Sequence, residues 1–182
     1  MEGFPAKFEN FEEELKTKIG EAVHYAFPAE QYDKEIERLR GLRKKKNEQG
    51  LTSPEEIEYK VLNDQIKSCQ VTVKTLSEYR KVLELLEFPK NTIDQIMNHE
   101  NAHANVAEQL ESQIFRGYRI RFLKEQDGRL VIQPQAAVST NPSFPEKQGI
   151  EEEIMVTEAP LYYGDELSIS DQKVIENLRK RL

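Results

Sequence analysis

Between residues 8 and 27, Phe8, Phe11, Leu15, Ile19, Val23 and Phe27 stand three or four apart, and Pro28 closes the run. That spacing predicts an amphipathic helix with a stop signal. Gln31 to Lys46 predicts a second, densely charged helix. After "NEQGLTSPEE", Ser53 reads as an N-cap, Pro54 as a first-turn proline and Glu56 as a capping-box glutamate, so a long helix is expected from there to Glu87. Its stripe is Ile57, Val61, Leu62, Ile66, Cys69, Val73, Leu76, Val82, Leu83 and Leu86. A stripe spaced near 3.5 residues suits a helical hairpin or a short coiled coil, within one chain or between two copies.

Phe88-Pro89-Lys90-Asn91 interrupts the pattern, and Thr92 to about Ser112 resumes it as another helix. The period then drops to two. Tyr118, Ile120 and Phe122 alternate with arginines, Gln126-Asp127-Gly128 supplies a turn, and "RLVIQP" returns, which predicts a β-hairpin. Residues 134–149 hold three prolines and read as a loop. Ile154 to Val156 is a short apolar segment of undecided type, Gly164 marks a turn, and a final helix is capped at Ser168 or Ser170. The expected fold class is α+β and mainly helical. Residues 1–90 would form a helical extension built on a long-helix hairpin, and residues 91–182 a core of motif helix, β-hairpin and C-terminal helix.

Composition narrows the partners. The chain has 182 residues and a formal charge of −7, with 16 basic against 18 acidic residues over 1–90 and 10 against 15 over 91–182. Neither half is basic, so nucleic acid is not an expected partner. The basic run "RLRGLRKKK", Arg38 to Lys46, falls at the end of a charged helix, where cations are favoured. The lone cysteine, Cys69, excludes an intramolecular disulfide and a cysteine-based metal site, and its place in an apolar stripe makes it a packed core thiol. No apolar run resembles a signal peptide or approaches the ~18 residues of a membrane span, which predicts a soluble, cytoplasmic protein with no membrane partner.

Chemistry concentrates in the fourth helix. "NHENAHANVAEQL", residues 98–110, carries two of the three histidines four positions apart, with a glutamate directly after the first. Residues i and i+4 lie about 40° apart around a helix, so His99 and His103 point the same way and can share one zinc ion. Glu100 projects beside them, placed to take a proton from a water activated by the metal. Ile96, Val106, Ala107 and Leu110 flank the pair and would half-bury the site. In a chain with three histidines, accident produces this order only on the order of once in a hundred cases. A catalytic zinc needs a third protein ligand, and here it must be a carboxylate. Glu108, five residues after His103, is rotated about 140° away. Glu151, Glu152, Glu153, Asp165, Glu166 and Asp171 can all reach in principle.

At this point the chain resembles a family. His99, Glu100, His103, Ala104, Val106, Ala107 and Leu110 match the metal helix of the FtsH-type, AAA-associated zinc metallopeptidases, with Ala102 where that family has glycine. The family follows this helix with strands, as "GYRIRFLKEQDGRLVIQP" does here. Its third ligand is an aspartate on a later helix, preceded by a glycine-containing turn and small polar residues. Asp171 stands at the matching place, 68 positions after His103, with Gly164, Ser168 and Ser170 before it. The resemblance covers residues 92–182 at most, and Pro160 with the short "EAPLYY" departs from it. It implies a zincin-like, stand-alone peptidase core without the family's ATPase module and membrane segment, acting on peptide or unfolded protein.

Two other readings stay open. A helical interaction module, associating with itself or a partner protein through the N-terminal helices, would carry a structural or vestigial metal site. Glu21-Ala22-Val23-His24 and Glu100-Asn101-Ala102-His103 are both Glu-x-x-His, the repeated element of di-iron carboxylate bundles, although that reading leaves His99 without a part. Tyr118, Tyr162 and Tyr163 are candidates for oxyanion stabilisation, weighed against simple aromatic packing.

Overall fold

The computed structural model describes residues 6–182, with side chains from Asn10 onward, so the side chain of Phe8 lies outside the described residues. Among them are eight helices and a mixed four-stranded sheet, the mainly helical α+β class that the periodicities imply. The order is α1 (Ala6–His24), β1 (Phe27–Pro28), α2 (Ala29–Glu48), α3 (Ser53–Ser68), β2 (Gln70–Val73), α4 (Leu76–Leu85), α5 (Lys90–Ala107), β3 (Gln113–Lys124), β4 (Leu130–Thr140), α6 (Glu146–Thr157), α7 (Ala159–Tyr162) and α8 (Ile169–Arg179). Strand β3 pairs with β1, β2 and β4, and its pairing with β1 is parallel, Phe27 opposite Leu123. The chain divides into two compact units: residues up to Val71 with Ile120–Gln133, and Thr72–Arg119 with Pro134–Leu182. Boundaries between the units fall within the residue ranges of β3 and β4.

In the first unit α2 and α3 pack as the expected hairpin around Phe27, Tyr32, Leu39, Leu42, Leu62, Ile66, Cys69 and Leu123. Full burial of a Leu or Ile side chain stabilises by about 1.5–3 kcal/mol, so this cluster is what holds two otherwise very polar helices together. Polar pairs fix the register. Arg38 donates to both carboxylate oxygens of Glu58 at 2.7 and 2.8 Å, Lys45 reaches Glu55 at 2.6 Å, and the Lys46 ammonium sits 4.7 Å from the centre of the Tyr59 ring. Much of the basic run is thus engaged within its own unit. Cys69 is fully buried, as its stripe position implied.

Three local expectations are corrected. The cap of α3 is Thr52 rather than Ser53, and its capping box closes on Glu55 rather than Glu56. The long helix expected to reach Glu87 stops at Ser68, and a four-residue strand and a new helix follow it. Within α3, Leu62 and Ile66 are the buried positions, while Ile57 and Val61 of the same stripe are 66% and 49% exposed. Of the segment read as a loop over 134–149, only 141–145 is a turn; 134–140 is the second half of β4 and 146–149 the first turn of α6, which runs on through Ile154–Val156.

In the second unit α5 is central, packing against α4, α6 and α7, while α6 also packs on α8. Helix α4 starts at a full capping box, Thr75 with Glu78. Tyr79 from α4 stacks on Tyr118 from β3 with ring centroids 4.8 Å apart, and the Tyr118 hydroxyl donates to Asn101 at 3.0 Å. Gly117 makes the approach of β2 to β3 workable. Its φ is +120°, and a Cβ there would lie 2.3 Å from the carbonyl oxygen of Val73. Strain and overlap each cost about 1–3 kcal/mol, so Gly117→Ala should destabilise by at least ~2 kcal/mol in urea unfolding. Gly41, mid-helix in α2 with nothing near its Cβ position, gives the opposite sign: Gly41→Ala should stabilise by roughly 0.5–1 kcal/mol.

Candidate metal centre

His99, Glu100 and His103 lie in the second half of α5, which is preceded by Phe88-Pro89. Pro89 occupies the N-cap position, and the helix is uninterrupted to Ala107. Helix α8 supplies the carboxylate opposite. Its N-cap is Ser168, whose hydroxyl accepts the Asp171 amide at 3.1 Å, while Asp171 Oδ2 accepts from the Ser168 amide at 3.0 Å and hydroxyl at 2.7 Å. This reciprocal box resolves the choice of cap in favour of Ser168 and holds the Asp171 side chain in one direction.

The three side chains converge. Asp171 Oδ2 is 3.0 Å from His99 Nε2, and its Oδ1 is 3.6 Å from His103 Nε2. The ligand atoms of His99, His103 and Asp171 all lie within 4.8 Å of one another. Among the described residues this is the single group of three or more such side chains placed to hold a metal ion. Two imidazoles and a carboxylate are a donor set that suits zinc, and three protein ligands are the number a catalytic zinc site uses. Glu21 and His24 belong to no such group, and His24 is exposed at the end of α1.

The outward nitrogens are also engaged. His103 Nδ1 lies 2.7 Å from the carbonyl oxygen of Val156, which can only accept, so that nitrogen carries the proton and leaves the Nε2 lone pair facing the cluster. His99 Nδ1 lies 2.9 Å from Asp165 Oδ2 in the loop after Gly164. Glu100, 8% exposed, is not part of the cluster; its Oε2 accepts the amide of Ala136 on β4 at 2.5 Å.

Charge follows from these contacts. The Asp171 hydrogen bond, with help from Asp165, pushes His99 up to about 9 against its partial burial. His103 goes the other way, held below the usual imidazole range by burial. Burial pushes the Glu100 carboxyl up to about 8, although the Ala136 amide favours its ionised form. Burial works against ionised Asp171 too, but the hydrogen bonds from His99 and Ser168 outweigh it and keep this carboxyl below its ordinary range. Asp165 is likewise lowered, chiefly by His99.

The remaining carboxylates that could have closed the site are occupied elsewhere or exposed. Glu152 accepts from the Ser112 amide and hydroxyl at 2.9 and 2.6 Å, Glu153 from Thr140 at 3.4 Å, and Glu151 faces Lys147 at 3.8 Å. Glu108 is the exposed C-cap of α5. Of the three tyrosines, Tyr118 is a packing residue, and Tyr162 and Tyr163 are 66% and 59% exposed. The Val156 carbonyl and the Ala136 amide are backbone groups brought in by tertiary packing, and no side-chain pattern announces them. No family model, no curated protein and no solved structure matches this chain. No helix among the described residues is long and apolar enough to cross a membrane.

Proposed function

We propose that the chain is a zinc-dependent peptidase that hydrolyses peptide bonds in peptide or unfolded protein, with His99, His103 and Asp171 as metal ligands and Glu100 as general base. The observation that carries this reading is the separation of roles in one motif. Two histidines and a distant aspartate converge, while the glutamate between the histidines is buried beside them and bonded to a strand amide instead of joining the cluster. A structural site needs no such carboxylate. The resemblance of the motif helix to the FtsH-type peptidases, with Asp171 at their third-ligand place, points the same way.

Zinc held by His99, His103 and Asp171 would supply Lewis acidity toward water and the scissile carbonyl. Glu100 takes the proton of the attacking water and then delivers it to the leaving amine. The Ala136 amide steadies the carboxylate between the two transfers. His103, with its proton fixed on Nδ1 by Val156, and Asp171, fixed by Ser168, keep their donor atoms aimed without reorganisation. The test is to incubate zinc-loaded protein with a reduced, permanently unfolded polypeptide and to identify new amino termini by mass spectrometry. Cleavage that stops with a chelator and returns with zinc is expected. Stoichiometric zinc without any new terminus, on several unfolded substrates, would favour the interaction module.

A further inference from the structure

We infer that Asp165 is a positioning residue of the metal site: its carboxylate holds the proton of His99 on Nδ1 and thereby turns the Nε2 lone pair toward the position where His103 and Asp171 converge. The inference rests on the proposed site and adds to it a residue that belongs to no ligand set.

An imidazole ligates through Nε2 only once that nitrogen has given up its proton, with the remaining proton on Nδ1, and an acceptor at Nδ1 favours that tautomer and fixes the ring. In His103 that acceptor is the Val156 carbonyl. In His99 it is Asp165 Oδ2, 2.9 Å from Nδ1, on the ring edge opposite the one that meets Asp171. The two rings stand at 80° to each other, with centroids 5.0 Å apart. Each therefore needs its own anchor, and neither anchor can serve both. A carboxylate is the stronger of the two acceptors, because a charge-assisted hydrogen bond is roughly twice as strong as a neutral one. It also makes the far nitrogen a better donor to a metal, and loss of such a partner typically costs about 10–100-fold in metal affinity.

The loop is built to present this group. Gly164 has φ +77°, its amide and that of Asp165 bond back to Leu161 and Pro160 in α7, and Asp165 Oδ1 accepts the Glu166 amide at 2.8 Å, which leaves Oδ2 for His99. Asp165 itself is half exposed, with a side-chain exposure of 49%. Its replacement therefore opens no cavity, and a change in metal binding can be separated from a change in folding.

The experiment is zinc affinity by competition with a chromophoric chelator for wild type, Asp165→Asn, Asp165→Ala and Glu166→Gln, together with the visible absorption spectrum of each after cobalt(II) substitution. Asparagine keeps an acceptor without charge and should weaken zinc several-fold; alanine removes the acceptor and should weaken it about 10–100-fold. The cobalt band should shift in both. Glu166→Gln removes the same charge from the same loop and should leave affinity within about twofold and the band unmoved, since Glu166 is exposed and an exposed charge is screened. Equal affinities and spectra for wild type and Asp165→Ala would overturn the inference while leaving the three-ligand site intact. A loss in Glu166→Gln matching that in Asp165→Asn would also overturn it, in favour of general loop charge. Wild type that binds neither zinc nor cobalt would remove the metal site and this inference together.

Discussion

Replacing Glu100 with glutamine will leave zinc bound and lower peptide hydrolysis by about 10²–10⁴-fold, the usual worth of a positioned general base. The substitution isolates that role because little else changes. Glutamine has nearly the same shape, and its carbonyl can still accept the Ala136 amide. Burial already pushes this carboxyl toward its neutral form, so a neutral amide does not burden the fold. The loss should appear in kcat, with KM little changed, because the proton transfer exists only on the way to the transition state. Hydrolysis by Glu100→Gln at the wild-type rate would assign the activity to something other than this residue.

His103→Ala is expected to abolish stoichiometric zinc. Apparent free energies of about 10–16 kcal/mol for four-ligand zinc sites divide into roughly 2.5–4 kcal/mol per ligand, which is on the order of 10²–10³-fold in affinity for one imidazole lost. Zinc should also cease to stabilise the protein. In wild type, a free zinc concentration 100 times its dissociation constant adds about 2.7 kcal/mol to the unfolding free energy, and in His103→Ala the addition should be near zero at the same concentration. Calorimetric unfolding with and without zinc measures both. An unchanged zinc content in His103→Ala would mean that the metal sits elsewhere.

The motif helix, the hairpin and the start of α8 were legible because each is encoded locally. His99 and His103 share a face by helical spacing alone, Tyr118, Ile120 and Phe122 alternate, and Ser168 precedes Asp171 by the three residues of a capping box. The break after Ser68 was missed because Cys69, Val73 and Leu76 continue the helical stripe. The contrary signals were the β-branched Val71-Thr72-Val73 and the capping pair Thr75 and Glu78, short patterns outweighed by a long one. In residues 134–149, prolines suggested a loop, yet Pro134 lies inside β4 and Pro145 sits at the N-cap position of α6, where its missing amide costs nothing. Asp165 was legible only as one of several carboxylates able to reach. Its contact with His99, 66 positions earlier in the chain, depends on how α7 and α8 return to α5, and no local pattern carries that.

The most direct measurement is a titration of metal-free protein with zinc, reading bound zinc and the rate of new amino-terminus formation on an unfolded polypeptide in the same samples. The account predicts that both rise together and level off at one zinc per chain, and that Glu100→Gln binds the same single equivalent with almost no cleavage. Cleavage already complete without zinc, or saturation of the site at one equivalent with no cleavage by wild type, would contradict it.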